Sequence, residues 1–136
     1  MSIVYKLLGI PTTLDEFIGK VKRKGHHQVS IFCKSYNDRD PYGSNYICYT
    51  EIRAGRMKLK LNEHAYMRWG NLHHAKIGVA KVEQTSLKEA VEAANKLNNL
   101  YLKVTIDGES LDKAKERIVQ YDEKIKNLER EENEVS

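Results

Sequence analysis

Residues 28–61 read QVSIFCKSYNDRDPYGSNYICYTEIRAGRMKLKL, and how this stretch pairs with itself organises everything around it. β-Branched and aromatic residues recur along it, and two joints interrupt it: the turn-rich DRDPYGS and the short AGR. Runs of that kind between Gly- and Pro-containing joints are strands, and the joints are hairpin turns. Three strands are predicted, over 27–36, 45–53 and 56–62. Side chains alternate across a strand, so register decides which residues share a face. Centring the first turn between Asp40 and Pro41, and the second on Ala54-Gly55, gathers Val29, Ile31, Cys33, Cys48, Thr50, Ile52, Met57, Leu59 and Leu61 on one side. That is a core face, with Cys33 directly opposite Cys48. The other side collects Phe32, Lys34, Ile47, Tyr49, Glu51, Arg53, Arg56, Lys58 and Lys60. There, aromatic rings stand at the centre and cations surround them.

Upstream, SIVYKLL (2–8) has the composition of a first strand. Thr13 and Glu16 form a capping box, and Leu14, Phe17, Ile18 and Val21 follow at helical spacing. Lys22, Arg23 and Lys24 suit the negative end of that helix, and Gly25 ends it. Downstream, 62–72 is expected to hold a turn of helix stopped by Gly70. AKIGVAKV (75–82) is apolar on both sides in its middle, as a central strand would be. Ser86 and Glu89 repeat the capping box ahead of a stripe of Leu87, Ala90, Val91, Ala94 and Leu97. Leu100, Leu102, Val104 and Ile106 then alternate as in a last strand. Read in order, the elements make a single α+β domain with a mixed sheet. It is a split βαβ, ferredoxin-like order with an inserted hairpin, helices on one face and a C-terminal amphipathic helix.

In that final helix the apolar positions Leu111, Ala114, Ile118, Tyr121, Ile125 and Leu128 are spaced as heptads. A narrow seam with both signs of charge beside it is the pattern of helix pairing, so a homo-oligomer formed through this helix is expected. The domain plan is a core over 1–108, the self-association helix over 109–131 and a disordered tail over 132–136.

The chain has 136 residues and a formal net charge of +4, unevenly divided. Residues 1–83 carry 14 Lys/Arg against 7 Asp/Glu, and residues 84–136 carry 9 against 12. A basic body with an acidic tail implies an anionic partner for the body. No apolar run approaches the roughly 18 residues of a membrane span, and the N-terminal residues lack a secretion signal. A cytoplasmic protein with two free thiols is therefore expected.

Rings that stack on bases, set among Lys and Arg that meet phosphate, are how sheets hold single-stranded nucleic acid or nucleotides. The expected ligand-binding residues are Phe32 and Tyr49 for stacking, and Lys34, Arg53, Arg56, Lys58 and Lys60 for phosphate. Arg39 and Tyr42 contribute from the first hairpin loop, and Arg68 and Trp69 from RWGNLHH (68–74). The expected activity is non-catalytic binding of a polyanion, with no catalytic residue, metal or cofactor. Two alternatives come from other classes. One is a protein-interaction module, an inhibitor or adaptor. The other is a metal-dependent nuclease using Asp38 and Asp40, whose two carboxylates could hold Mg²⁺. The five His and two Cys show no zinc-ligand spacing, and no Gly-rich phosphate loop or nucleophile elbow is present.

Overall fold

A computed structural model describes residues 11–40, 43–68, 72–100 and 102–135. The predicted strand at 2–8, along with Tyr42 and Trp69, lies outside these residues. The elements are α1 (Leu14–Lys24), β1 (Gln28–Asp40), β2 (Gly43–Ala54), β3 (Met57–Lys60), β4 (His64–Arg68), α2 (Leu72–Asn98), β5 (Lys103–Ile106) and α3 (Leu111–Val135). The fold is α+β, with one mixed five-stranded sheet ordered β3-β2-β1-β5 and β4 also paired to β2. Only β1 and β5 run parallel.

Helix α1 begins as its capping box requires. The Thr13 hydroxyl accepts the Glu16 N–H at 3.2 Å, and the Glu16 carboxylate reaches back to the Thr12 N–H at 3.0 Å. Gly25 closes the helix in the left-handed region at φ 71. Phe17 and Val21 are fully buried and join Val29, Ile31, Ile52, Leu59, Leu87, Leu97 and Ala114 in one core cluster. The three described helices thus feed the same side of the sheet.

The parity of the central strands is as expected, but their register differs. Pairing runs Cys33↔Thr50 and Ser35↔Cys48, not Cys33 opposite Cys48. Asp40 pairs with Gly43, so most of DRDPYGS is strand. The second turn likewise shifts to Gly55-Arg56, closed by Ala54↔Met57. Each correction moves pairing by two positions along the partner. A shift by two leaves every side chain on its face, whereas a shift by one would have exchanged them.

A one-residue shift does occur further on. Glu51 pairs with Lys60, but Cys48 pairs with His64, so three steps on β2 match four on its neighbour. This bulge reverses the facing of β4 relative to β3. His64 and Tyr66 consequently turn toward the helices, where His64 Nε2 meets Glu89 Oε1 at 2.8 Å. The expected helical turn at 62–72 is instead strand β4 at its centre.

The largest correction concerns AKIGVAKV. It is not a strand but the first half of α2, a helix of 27 residues that continues through Ser86. Ile77, Ala80, Gln84, Leu87, Val91 and Ala94 are all buried along one side of it. A short apolar run satisfies either period, and only the length of the continuous helix settles it. Ser86 is therefore no cap. It sits mid-helix, and its backbone carbonyl accepts the buried Thr50 hydroxyl at 3.1 Å.

Helix α3 runs antiparallel along α2 and extends past residue 131, where a disordered tail was expected. Gln84 donates to the Ile118 carbonyl at 3.2 Å, Tyr121 donates to Glu83 at 3.0 Å, and His73 Nε2 meets the Leu128 carbonyl at 2.7 Å. Ala114 and Ile125 are buried, and Leu111, Ile118 and Tyr121 pack on the core. The heptad seam assigned to a second copy is thus occupied by the protein's own second helix.

Gly78 lies where α2 crosses β4, and a Cβ there would fall inside the Tyr66 ring. In an ordinary helix Gly→Ala stabilises by about 1 kcal/mol. Here overpacking costs about 1–3 kcal/mol and outweighs that gain. Gly78→Ala should therefore destabilise the protein in urea denaturation, while the same change in a Tyr66→Ala background should stabilise it. Stabilisation in both backgrounds would refute this packing.

Candidate nucleic-acid interface

The sheet face turned away from the helices is built by alternation. From β1 it takes Ser30, Phe32, Lys34 and Tyr36; from β2, Ile47, Tyr49, Glu51 and Arg53; from β3, Lys58 and Lys60. Among the described residues no helix packs on it. Phe32 and Tyr49 are half-buried, and Tyr36 is 41 % exposed. The face carries two stacked cation–ring pairs. The Arg53 guanidinium carbon lies 5.0 Å from the Phe32 ring centroid, and Lys60 Nζ lies 4.5 Å from that of Tyr49. Tyr36 meets Tyr49 edge-on, with centroids 6.1 Å apart.

Two carboxylates organise these cations. Glu51 Oε2 receives Lys34 Nζ at 2.8 Å and Arg53 NH2 at 2.9 Å. Burial works to raise the Glu51 pKa, but the hydrogen bonds and charges of Lys34 and Arg53 outweigh it and hold the carboxyl below the ordinary range. Glu63, in the bulge, pairs with Lys60 and accepts the Tyr36 hydroxyl at 3.1 Å. Those two contacts lower the Glu63 pKa, and the Lys60 pKa rises in turn.

The predicted site residues therefore separate. Phe32, Lys34, Tyr49, Arg53, Lys58 and Lys60 share the face, and Arg56 stands exposed at its rim in the β2–β3 turn. Arg39 does not join them. It is exposed near the far end of the hairpin, opposite Ser44, with the parity of Cys33. Arg68 belongs to β4, beyond the bulge. Asp38 is exposed on β1, opposite Asn45. No group of three or more His, Cys, Asp or Glu among the described residues is arranged to hold a metal ion.

Sequence reasoning missed a second polar region, under the sheet. A cavity of about 100 Å³ is lined by Cys33, Cys48, Tyr46, Glu83, Arg117 and Tyr121, among others. Asp107 organises it, accepting the Cys33 N–H at 2.8 Å on one oxygen and Arg117 at 3.0 Å on the other. Burial first, and the Asp107 charge second, push the Cys33 thiol up to about 12. Burial also raises Cys48, and burial with the Glu83 charge raises Tyr121. Only the thiolate is nucleophilic, so these cysteines are inert at neutral pH. The Asp-Gly pair at 107–108 is a hairpin-turn signature that gave the one local signal for this region. Its partners come from distant segments.

No protein-family model, curated protein or solved structure matches this chain. No described helix is long and apolar enough to cross a membrane.

Glu51 has a depressed folded pKa, so its stabilising contribution is complete above the unfolded value of about 4.3 and is lost as the pH falls through the lower folded value. Glu51→Gln should cost about 1 kcal/mol at neutral pH. The gap between variant and wild type in urea melts should narrow below about pH 4. A gap that widens with acid would show the sign to be wrong. In a separate measurement, both thiols should resist iodoacetamide in the folded protein at mildly alkaline pH and react readily once it is denatured. Rapid labelling of the native state would contradict the raised thiol pKa values.

Proposed function

We propose that this protein binds single-stranded nucleic acid on its outer sheet face, as a non-catalytic binding protein. The observation that carries the reading is the pair of cation–ring stacks on the face that no described helix covers, Arg53 on Phe32 and Lys60 on Tyr49. Base–aromatic stacking contributes about 1–3 kcal/mol per base and tolerates any sequence, because every base has a π-face. The rings also stand on β1 and β2, near the middle of the sheet, with cations from β2, β3 and the intervening turn beside them.

The internal carboxylates do not forbid an anionic ligand. The Lys60–Glu63 pair is well exposed, with side-chain exposures of 51 % and 38 %. Exposed pairs of this kind contribute only about 0–1 kcal/mol, so a phosphate can replace Glu63 at little cost. Lys58 and Arg56 are exposed beside it and extend the cationic edge. The uneven charge of the chain supports the same partner, since the excess of Lys and Arg falls within residues 1–83.

The test is fluorescence anisotropy of a labelled single-stranded oligonucleotide at several salt concentrations. Binding should weaken with salt. Arg56→Ala with Lys58→Ala should flatten the log–log slope by about 1.4, at about 0.7 per phosphate contact. Binding that ignores salt would favour a protein partner and overturn the proposal, as would a slope unchanged in the double variant.

A further inference from the structure

At the end of the outer face nearest α1 lies a surface cleft of about 480 Å³, lined by His26, His27, Gln28, Ser30, Phe32 and Arg53, with Gly55 at its edge. Ligand pockets for small molecules fall in the range of about 300–1,000 Å³. Three features show that the cleft is preformed. The Arg53 guanidinium is stacked on Phe32, and Glu51 fixes one of its terminal nitrogens. Its Nε is shut away from solvent, yet finds no acceptor among the described residues. Finally, the His26 ring lies so close over Gly55 that a Cβ there would come within 2.6 Å of Cε1, while Gly55 itself sits at φ 60. Both the turn conformation and the wall made by His26 require glycine.

The lining mixes three flat rings and a planar cation with a hydroxyl and an amide. That chemistry suits a nucleobase, which has flat faces and an edge of donors and acceptors. Cations stand on both flanks, since Arg53 pairs with Lys58 across the sheet and Gln28 pairs with Lys103. We propose that the cleft is a nucleotide pocket, in which one base lies between the Arg53 plane and the His26 ring and leaves its phosphate on the Lys58 flank. This rests on the outer face being a nucleic-acid surface, and it assigns that surface one defined subsite.

The experiment is an NMR titration of the full chain with a nucleoside monophosphate, with inorganic phosphate and with a single-stranded oligonucleotide, following the His26 and His27 ring protons and the Arg53 Nε–H. The nucleoside monophosphate should move all three signals, and the oligonucleotide should move the same three. Arg53→Lys keeps the charge but removes the guanidinium plane and should weaken the monophosphate about tenfold. Phe32→Leu, checked for folding by circular dichroism, provides a second variant and should also weaken it. Oligonucleotide binding that shifts only the Lys58 and Lys60 region would overturn the pocket while leaving the wider reading intact. Inorganic phosphate reproducing every shift would overturn base recognition. Wild-type affinity in both variants would overturn the pocket as well. Failure of the oligonucleotide to bind at all would remove both proposals together.

Discussion

The constraint on which this structure depends is the alternation of side chains along the β1–β2 ribbon. One side must supply a continuous apolar layer, because three helices press on it and a buried polar group there needs a partner. Val29, Ile31 and Ile52 are completely buried, and so is Thr50, whose hydroxyl is satisfied by Ser86. With that side assigned, the identity of the opposite side follows without further choice. Phe32, Lys34, Tyr49, Glu51 and Arg53 must emerge together, because each is adjacent in the chain to a residue that is held inward or in line with one. The outer face is in this sense a by-product of core formation.

A second constraint ties the ends of the molecule together. Asp107 follows the last strand at φ 51, and Gly108 follows at φ 78, so the chain reverses through a two-residue turn closed by Ile106 and Glu109. Asp is among the few residues that tolerate this conformation, since its short side chain finds local partners. Here those partners are structural. One carboxylate oxygen takes an N–H of β1 where β5 has ended, and the other holds Arg117 of α3. The polar cavity beside it resembles a reactive site in composition, with thiols, phenols and carboxylates in contact. Its electrostatics point the other way, because burial and neighbouring negative charge keep the thiols and Tyr121 protonated. Such a cluster locks a strand and a helix in place.

How much of this is legible in the sequence depends on the range of the interaction involved. The first helix is readable because its cap, its stripe and its Gly25 stop are all local. The faces of β1, β2 and β3 are readable because alternation survives an error of two in the register, even though the Cys33–Cys48 pairing does not. The segment 75–82 is misread because a short apolar run satisfies either period, and Ser86 imitates a cap while serving as a mid-helix contact. The bulge ahead of His64 is invisible in advance, since one extra residue between two strands leaves no compositional mark. The heptad seam of α3 is a packing stripe that α2 and the core of the same chain cover; periodicity specifies a surface without saying what covers it. Of the expected ligand residues, those read from strand alternation come together, whereas Arg39 and Arg68, expected in loops, stand on β1 and β4 on either side of Ser44, because loop composition fixes no direction.

The presence of Glu51 and Glu63 within a cationic face has a physical logic of its own. Freely rotating Lys and Arg side chains attract any polyanion, and each one ordered on binding costs about 0.5–1.5 kcal/mol. Arg53, held between Phe32 and Glu51, has already lost that freedom in the folded protein. The carboxylate therefore lowers the long-range field while sharpening the short-range geometry. A surface built this way gives up part of its attraction to phosphate in general and gains discrimination for ligands that also present a plane to stack on. Glu63 acts differently, because its pair with Lys60 is exposed and readily exchanged. The two carboxylates thus divide the face into a fixed end at Arg53 and an adaptable end at Lys60, and the rings of Phe32 and Tyr49 stand one at each.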